Sequence, residues 1–145
     1  MASPDVHAIA ATRLRRDHQR YTTNRRAIVG LLVDADRPRT IPELLANGSG
    51  LAQSSVYRNL AVLERAGVVH RIVTADEFAR YELAEDLTHH HHHLICASCG
   101  AVEDFTVPPR LERSLGNALD EVTAATGFRA EHHRLDLVGT CRDCQ

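Results

Sequence analysis

Four cysteines fall into two CxxC pairs, Cys96-Ala97-Ser98-Cys99 and Cys141-Arg142-Asp143-Cys144. Each pair can place two thiolates on one ion, and two pairs complete a closed tetrahedral shell that suits Zn²⁺. Four thiolates leave no coordination position for water, so a site of this kind is structural rather than catalytic. Gly100 follows the first pair and permits the tight turn that a zinc knuckle needs. Two local disulfides or a thiol redox pair are the competing readings, and nothing around the cysteines has the look of a redox centre.

Five consecutive histidines, His89 to His93, run into the segment that carries Cys96. If residues 90–95 are extended, their side chains alternate between faces. His91 and His93 then point one way, His90 and His92 the other, and one strand can serve two metal sites. Neutral imidazole suits Zn, Fe, Ni and Mn-type ions, so occupancy should fall as pH drops below about 6.5. A purification tag would sit at a terminus, and a loose metal-buffering tract would not lead straight into a strand and a cysteine pair. His133 begins the last strand and could join His90 and His92. His70 ends Gly67-Val68-Val69-His70, and Glu82, Glu85 and Asp86 come just before the histidines.

These groups have to be positioned by a chain of 145 residues, enough for one large domain or two small ones. Hydrophobic residues make up 43% and charged residues 25%, as in soluble globular proteins. With three Tyr, three Phe and no Trp, the core must be built from Leu, Val, Ile and Ala. No apolar run approaches the roughly 18 residues that span a bilayer, and the N-terminal segment with Arg13, Arg15, Arg16 and Asp17 lacks a signal-peptide core. A cytoplasmic location is expected, where paired cysteines hold metal more often than they form disulfides.

Residues 1–17 offer only a short helix at most, with Arg13 to Arg20 as a basic arm. Thr22 or Thr23 can cap a helix over about Asn24 to Leu32. Asp34 to Arg39 reads as a loop, and a short helix follows near Ile41 to Ala46. Asn47-Gly48-Ser49-Gly50 is a turn signal. Ser54 or Ser55 then caps a third helix that ends at Gly67, with Val56, Leu60 and Leu63 facing the core and Tyr57, Arg58, Ala61, Glu64 and Arg65 facing away. Val68 to Thr74 and Phe78 to Leu83 are strands around an acidic turn. Three helices and a hairpin are the winged-helix form of helix-turn-helix, in which the last helix enters the major groove. Beyond Thr88 come strands at His92 to Ala97 and Glu103 to Val107, a helix over about Arg110 to Thr126, and a strand over His132 to Val138. A unit of about sixty residues is small for a stable core, which calls for a structural metal or dimerisation. The expected fold is α+β, with a winged-helix DNA-binding domain at 1–84 and a metal-binding dimerisation domain at 85–145.

Charge divides the same way. Residues 1–75 hold eleven Arg against six acids, a net of +5, and residues 76–145 hold six Arg against thirteen acids, a net of −7. The basic half suits a polyanion, since phosphate contacts drive most nucleic-acid affinity. All seventeen basic residues are Arg.

Taken together, these residues resemble the ferric uptake regulator (Fur) family of metal-responsive bacterial regulators over about residues 20–144. The likeness rests on Arg20-x-Thr22-x-Asn24-Arg25, on Ser55-Val56-Tyr57-Arg58-Asn59-Leu60 leading to Ala66-Gly67-Val68-Val69, and on Tyr81-Glu82-Leu83. It continues through His89 to Cys99-Gly100 and His133 to Gly139-Thr140-Cys141. The resemblance implies a homodimer that binds double-stranded, palindromic operator DNA when a regulatory metal is present. By motif match, Ser55, Tyr57 and Arg58 lie on the recognition helix, and Arg20 and Arg25 are placed to reach DNA. Cys96, Cys99, Cys141 and Cys144 match the structural zinc site. His91 and His93 match the regulatory site, for which this chain offers His70 and Glu82, with Asp86 as the substitute. His90, His92 and His133 match a further site that a helix carboxylate, here Glu112, completes.

Three departures bear on the metal. Ala84 stands where the zinc-sensing branch carries a cysteine, the Asp of the iron-sensing histidine run is absent, and Arg39 or Thr40 replaces an iron-branch histidine. His70 sits where the zinc branch places an Asp ligand, which tilts the expectation to Zn²⁺ over Fe²⁺, with Mn²⁺ and Ni²⁺ behind. The expected function is a metal-dependent repressor of metal-homeostasis genes; the alternatives are a metal buffer or chaperone, or a peroxide-responsive regulator of the same family. An enzyme is not expected, because no His-x-Glu or His-Glu-x-x-His pairing supplies a positioned base and no Gly-rich phosphate loop is present.

Overall fold

Asp5 accepts hydrogen bonds from the backbone N–H groups of His7 and Ala8 and so caps a first helix, α1, Val6–Arg16. The computed structural model describes residues 5–46 and 50–145, so Asn47, Gly48 and Ser49 of the expected turn lie outside the described residues. The possible short helix is thus present, and since Ala10 and Leu14 are fully buried, Arg13 to Arg16 belong to a helix packed on the core and not to a free arm over Arg13 to Arg20.

Thr22 accepts from the N–H of Arg25 and starts α2, Thr23–Val33. A two-residue strand, β1, Arg39–Thr40, replaces the end of the expected loop and leads into α3, Ile41–Ala46. Helix α4, Gln53–Arg65, begins earlier than expected with Ala52 at its cap position and no side-chain cap. Ser55 does not cap because its hydroxyl accepts from Asn24 Nδ2 and Asn59 Nδ2 inside the structure. The far end of α4 follows expectation. Gly67 adopts φ +75°, and Val68 N–H returns to Leu63 O, a Schellman closure that a Cβ would strain. Val56, Leu60 and Leu63 are buried, while Tyr57 and Arg58 are exposed.

The wing is β2, Val69–Ile72, paired antiparallel with β3, Arg80–Leu83, and β1 pairs with the other edge of β3 to give the order β1-β3-β2. Both wing strands are shorter than expected. Arg80 explains the lost length: it turns inward and binds Asp76, Thr74 and the Phe78 carbonyl, closing the tip into a folded turn. A 3₁₀ turn, Glu85–Leu87, joins this half to β4, His92–Cys96. The second sheet has the order β5-β4-β6, with β5, Val102–Phe105, antiparallel and β6, Asp136–Gly139, parallel to β4. Helix α5, Pro109–Thr126, lies between β5 and β6 and stops at Gly127, φ +66°. The last strand starts at Asp136, so His132 and His133 precede it in a loop.

Residues of α1 to α4 and the wing share one apolar cluster, which Leu87 completes. In contrast, α5 and β6 have no buried residue; Leu111, Val122, Leu137 and Val138 are all more than half exposed. Wing and knuckle touch: a methyl group added to Gly100, φ +74°, would overlap the Asp76 carboxylate.

Candidate metal centres and nucleic-acid interface

Alternation along residues 90–93, of which His92 and His93 open β4, separates the histidines as expected. Three clusters of ligating atoms result, and within each the atoms lie within 4.8 Å of one another.

Cys96, Cys99, Cys141 and Cys144 form the first cluster. Cys99 Sγ and Cys141 Sγ are 3.8 Å apart, the edge length of a tetrahedron with Zn–S bonds of about 2.3 Å. Cys96 Sγ accepts the N–H groups of Cys141 and Cys99 at 3.4 and 3.5 Å, and these bonds draw its thiol down to about 6. Cys144 is pushed up to about 12, first by the neighbouring Cys141 thiol. Four sulfurs this close cannot all ionise unless a cation joins them, so the donor set fits zinc.

On one face of β4, Glu82, His91, His93 and Asp104 form a second cluster. Glu82 Oε2 is 3.1 Å from Nε2 of both His91 and His93. Burial raises the Glu82 carboxyl, but hydrogen bonds from His70, His93 and His91 outweigh it and hold the group well below the usual range. The two imidazoles are shifted up: burial opposes their charge, while the His89 carbonyl and Glu82 favour it at His91, and Glu82 favours it at His93. Glu82 comes from the wing and the histidines from the second sheet, so this cluster bridges the two sheets. A cavity of about 450 Å³ adjoins it, lined by His70, Glu82, His91, His93 and residues 131–135, which gives an ion a route in and out.

His70 and Asp86 stand differently. His70 Nδ1 lies 3.5 Å from Glu82 Oε1, but its Nε2 accepts from Arg134 at 3.2 Å, so the ring supports Glu82 and is not one of the four. Asp86 is ion-paired with Arg13 instead of facing the cluster. Asp104 was not anticipated. The signal was present: with the knuckle closing the hairpin at Cys96 to Ala101, counting back along both strands sets His93 opposite Asp104.

The opposite face of β4 carries the third cluster, His90, His92, Glu112 and His133. Nε2 of each imidazole lies 2.9 Å from a Glu112 oxygen, and the His92 contact above all holds the Glu112 carboxyl low. His133 Nε2 is buried yet, despite that distance, makes no hydrogen bond. Two groups close together but not aimed at each other are what ligands of a shared ion look like, so this donor set also fits a divalent cation.

Before α2, Arg20 is exposed, as are Tyr57 and Arg58 on α4. Arg25 and Ser55 are engaged within the structure. Arg25 Nε donates to Asn59 Oδ1 at 2.9 Å and its Nη1 to the Arg20 carbonyl at 2.6 Å, while Asn59 also donates to the Ser55 carbonyl. Asn59, unremarked in the sequence beyond its motif, thereby locks the N-terminus of α2 to α4. Among the described residues no helix is long and apolar enough to cross a membrane.

Comparison with known proteins agrees with this architecture. The Ferric uptake regulator family matches residues 16–138. The peroxide-responsive repressor PerR of Staphylococcus saprophyticus is 32% identical over 142 residues, covering 92% of this chain and 88% of that protein. The peroxide operon regulator of Bacillus subtilis is 32% identical over 133 residues, covering 86% and 83%. In fold, the chain is similar to the Helicobacter pylori ferric uptake regulator, with a TM-score of 0.74, 22% identity, and coverage of 99% of this chain and 94% of that one. The chain belongs to the ferric uptake regulator family of metal-responsive transcriptional regulators.

Proposed function

We propose that the chain is a metal-dependent repressor, acting as a homodimer on palindromic operator DNA, with a winged-helix half at 1–84 and a metal-binding dimerisation half at 85–145. One observation carries the reading: Glu82 of the wing reaches both His91 and His93 of the second sheet. A divalent cation supplies there a charge that Glu82, His91, His93 and Asp104 can share. Those four residues then tie the wing to the second sheet and hold the recognition helix at a fixed angle. Metal raises DNA affinity only to the extent that the ligands prefer this closed arrangement. The four cysteines hold the knuckle, and the exposed apolar residues of α5 and β6 are covered by a second copy, which sets the spacing of the two recognition helices.

The experiment is fluorescence anisotropy on a duplex selected from a random library, against buffered Zn²⁺, Fe²⁺, Mn²⁺ and Ni²⁺. Tight binding should require metal, and His91→Ala with His93→Ala should abolish that requirement's effect while the dimer persists. Unchanged metal dependence would sink the assignment, and no sequence-selective binding at all would favour a metal buffer. The metal that acts at the lowest free concentration names the sensor. His70 alone tilted the sequence to zinc, and its engagement with Arg134 removes that weight.

A second reading, peroxide response, is supported by the names of the two bacterial relatives and by a regulatory donor set of imidazoles and carboxylates with no thiol, which admits redox-active iron. Hydrogen peroxide should then release the Fe²⁺-loaded protein from DNA and leave the Zn²⁺-loaded protein bound. Equal behaviour of the two would leave plain metal sensing.

A further inference from the structure

His90 is held between two carboxylates. Its Nε2 lies 2.9 Å from Glu112 Oε1, and its Nδ1 meets the carboxylate of Glu85. A carboxylate on the second nitrogen fixes an imidazole ligand in tautomer and orientation. Nδ1–H given to Glu85 leaves the Nε2 lone pair directed into the cluster of His92, Glu112 and His133. His92 has no such support, since its Nδ1 is buried without a partner.

Glu85 does not come from the sheet that carries His90. It opens the 3₁₀ turn Glu85–Leu87 between the wing and β4. The next residue, Asp86, is ion-paired with Arg13 of α1, and Arg13 also donates to the carbonyl of Gly67, which closes the recognition helix, at 2.5 Å. Leu87 is 3% exposed and packs into the winged-helix core. Successive residues of one short turn thus grip a metal-site histidine, an arginine of α1 and the core. Displacement of any one displaces the others.

We infer that Glu85 is a positioning residue that orients His90 for metal and, through the Asp86–Arg13 pair, transmits occupancy of the His90, His92, Glu112 and His133 cluster to the winged-helix half. The inference rests on the reading of that cluster as a cation site. It adds a second metal input to DNA binding, distinct from the Glu82 bridge.

The test uses the full chain with its structural zinc and with His91→Ala and His93→Ala, so that the other site is silent. Zinc is titrated against a chromophoric chelator. Glu85→Ala should weaken zinc binding by about 10- to 100-fold, the usual cost of losing an outer partner. Glu85→Gln, nearly isosteric, should lose part of that and keeps the test alive should the alanine variant fold poorly. Absorption of the Co²⁺-loaded protein should keep its band positions in Glu85→Gln. Hydrogen exchange in residues 6–16 should slow on zinc addition, and should cease to respond in Arg13→Ala while that variant binds zinc as its parent does. Equal zinc affinity with and without Glu85 overturns the positioning role. Shifted cobalt bands would make Glu85 a direct ligand and overturn it too. Exchange in α1 indifferent to zinc overturns the transmission. A parent protein that binds no zinc here overturns the reading of the cluster itself, a failure distinguishable from loss of Glu85 alone.

Discussion

Replacing Asp104 with Ala removes one of four donor groups around the bridging cluster. The regulatory metal should weaken by more than the about 10- to 100-fold that follows loss of an outer partner. His70→Ala, which takes away only a neighbour of Glu82, should fall within that range; chelator competition on both variants ranks them, and an Asp104 variant with the milder loss would remove Asp104 from the ligand set. The same residues set a pH dependence. In the metal-free protein His91 and His93 titrate above their ordinary 6.5. Their pairing with Glu82 therefore stabilises the fold fully below 6.5 and fades as pH rises through the raised values. Metal binding slopes the other way, because the imidazoles must be neutral to bind. Metal affinity measured from about pH 8 to about pH 6 should fall, and it should start falling above the ordinary histidine range; a flat profile would argue that these imidazoles are not ligands. Most of these side chains were legible from spacing alone, since alternation along one strand sorts His90 to His93 by face. Asp104 is legible only by pairing β4 and β5 across the knuckle, since nothing in its own neighbourhood marks it, and the role of Glu85 depends on the turn that carries it and not on a motif.

At the level of elements, α4 and α5 make opposite predictions. In α4 the inner residues are fully buried, so Leu60→Ala should cost about 2–5 kcal/mol in chemical denaturation. Tyr57→Ala on its outer face should leave stability nearly unchanged and weaken DNA binding. Helix α5 and strand β6 bury nothing within the chain, so Leu137→Glu or Val138→Glu should leave the monomer folded and shift sedimentation from dimer to monomer. A variant that stays dimeric would place the interface elsewhere. The helices were readable because Val56, Leu60 and Leu63 recur with the period of a helix and Gly67 and Gly127 punctuate the ends. Element α1 was readable only as a possible short helix, since Ala10 and Leu14 are its only buried residues and its end is rich in arginine. The start of α4 was misjudged because Ser55, a good cap by type, is used by Asn24 and Asn59. The wing was overestimated because Arg80 spends its side chain on the tip instead of on solvent.

For the molecule as a whole, the uneven charge predicts strong salt dependence. Residues 1–75 carry +5 and residues 76–145 carry −7, so the affinity for duplex DNA should fall linearly with the logarithm of salt concentration. Arg58→Ala should reduce that slope by about 1.8 per dimer if each copy contacts one phosphate through it; an unchanged slope would place Arg58 off the backbone. The contact between Gly100 and Asp76 bears on how the halves move. The turn of the four-cysteine knuckle has no Cβ, and the tip of the wing fills the space where one would be. Any swing of the wing therefore has a one-sided range: it can move away from the second sheet, but further closure would press Asp76 onto the Gly100 backbone. Distances between probes on wing and knuckle should then show a distribution with a sharp lower edge and a long upper tail. Chelating the metal proposed for the four cysteines, by softening the knuckle, should blur that edge. A fastener for the small half thus also acts as the stop against which the DNA-binding half comes to rest.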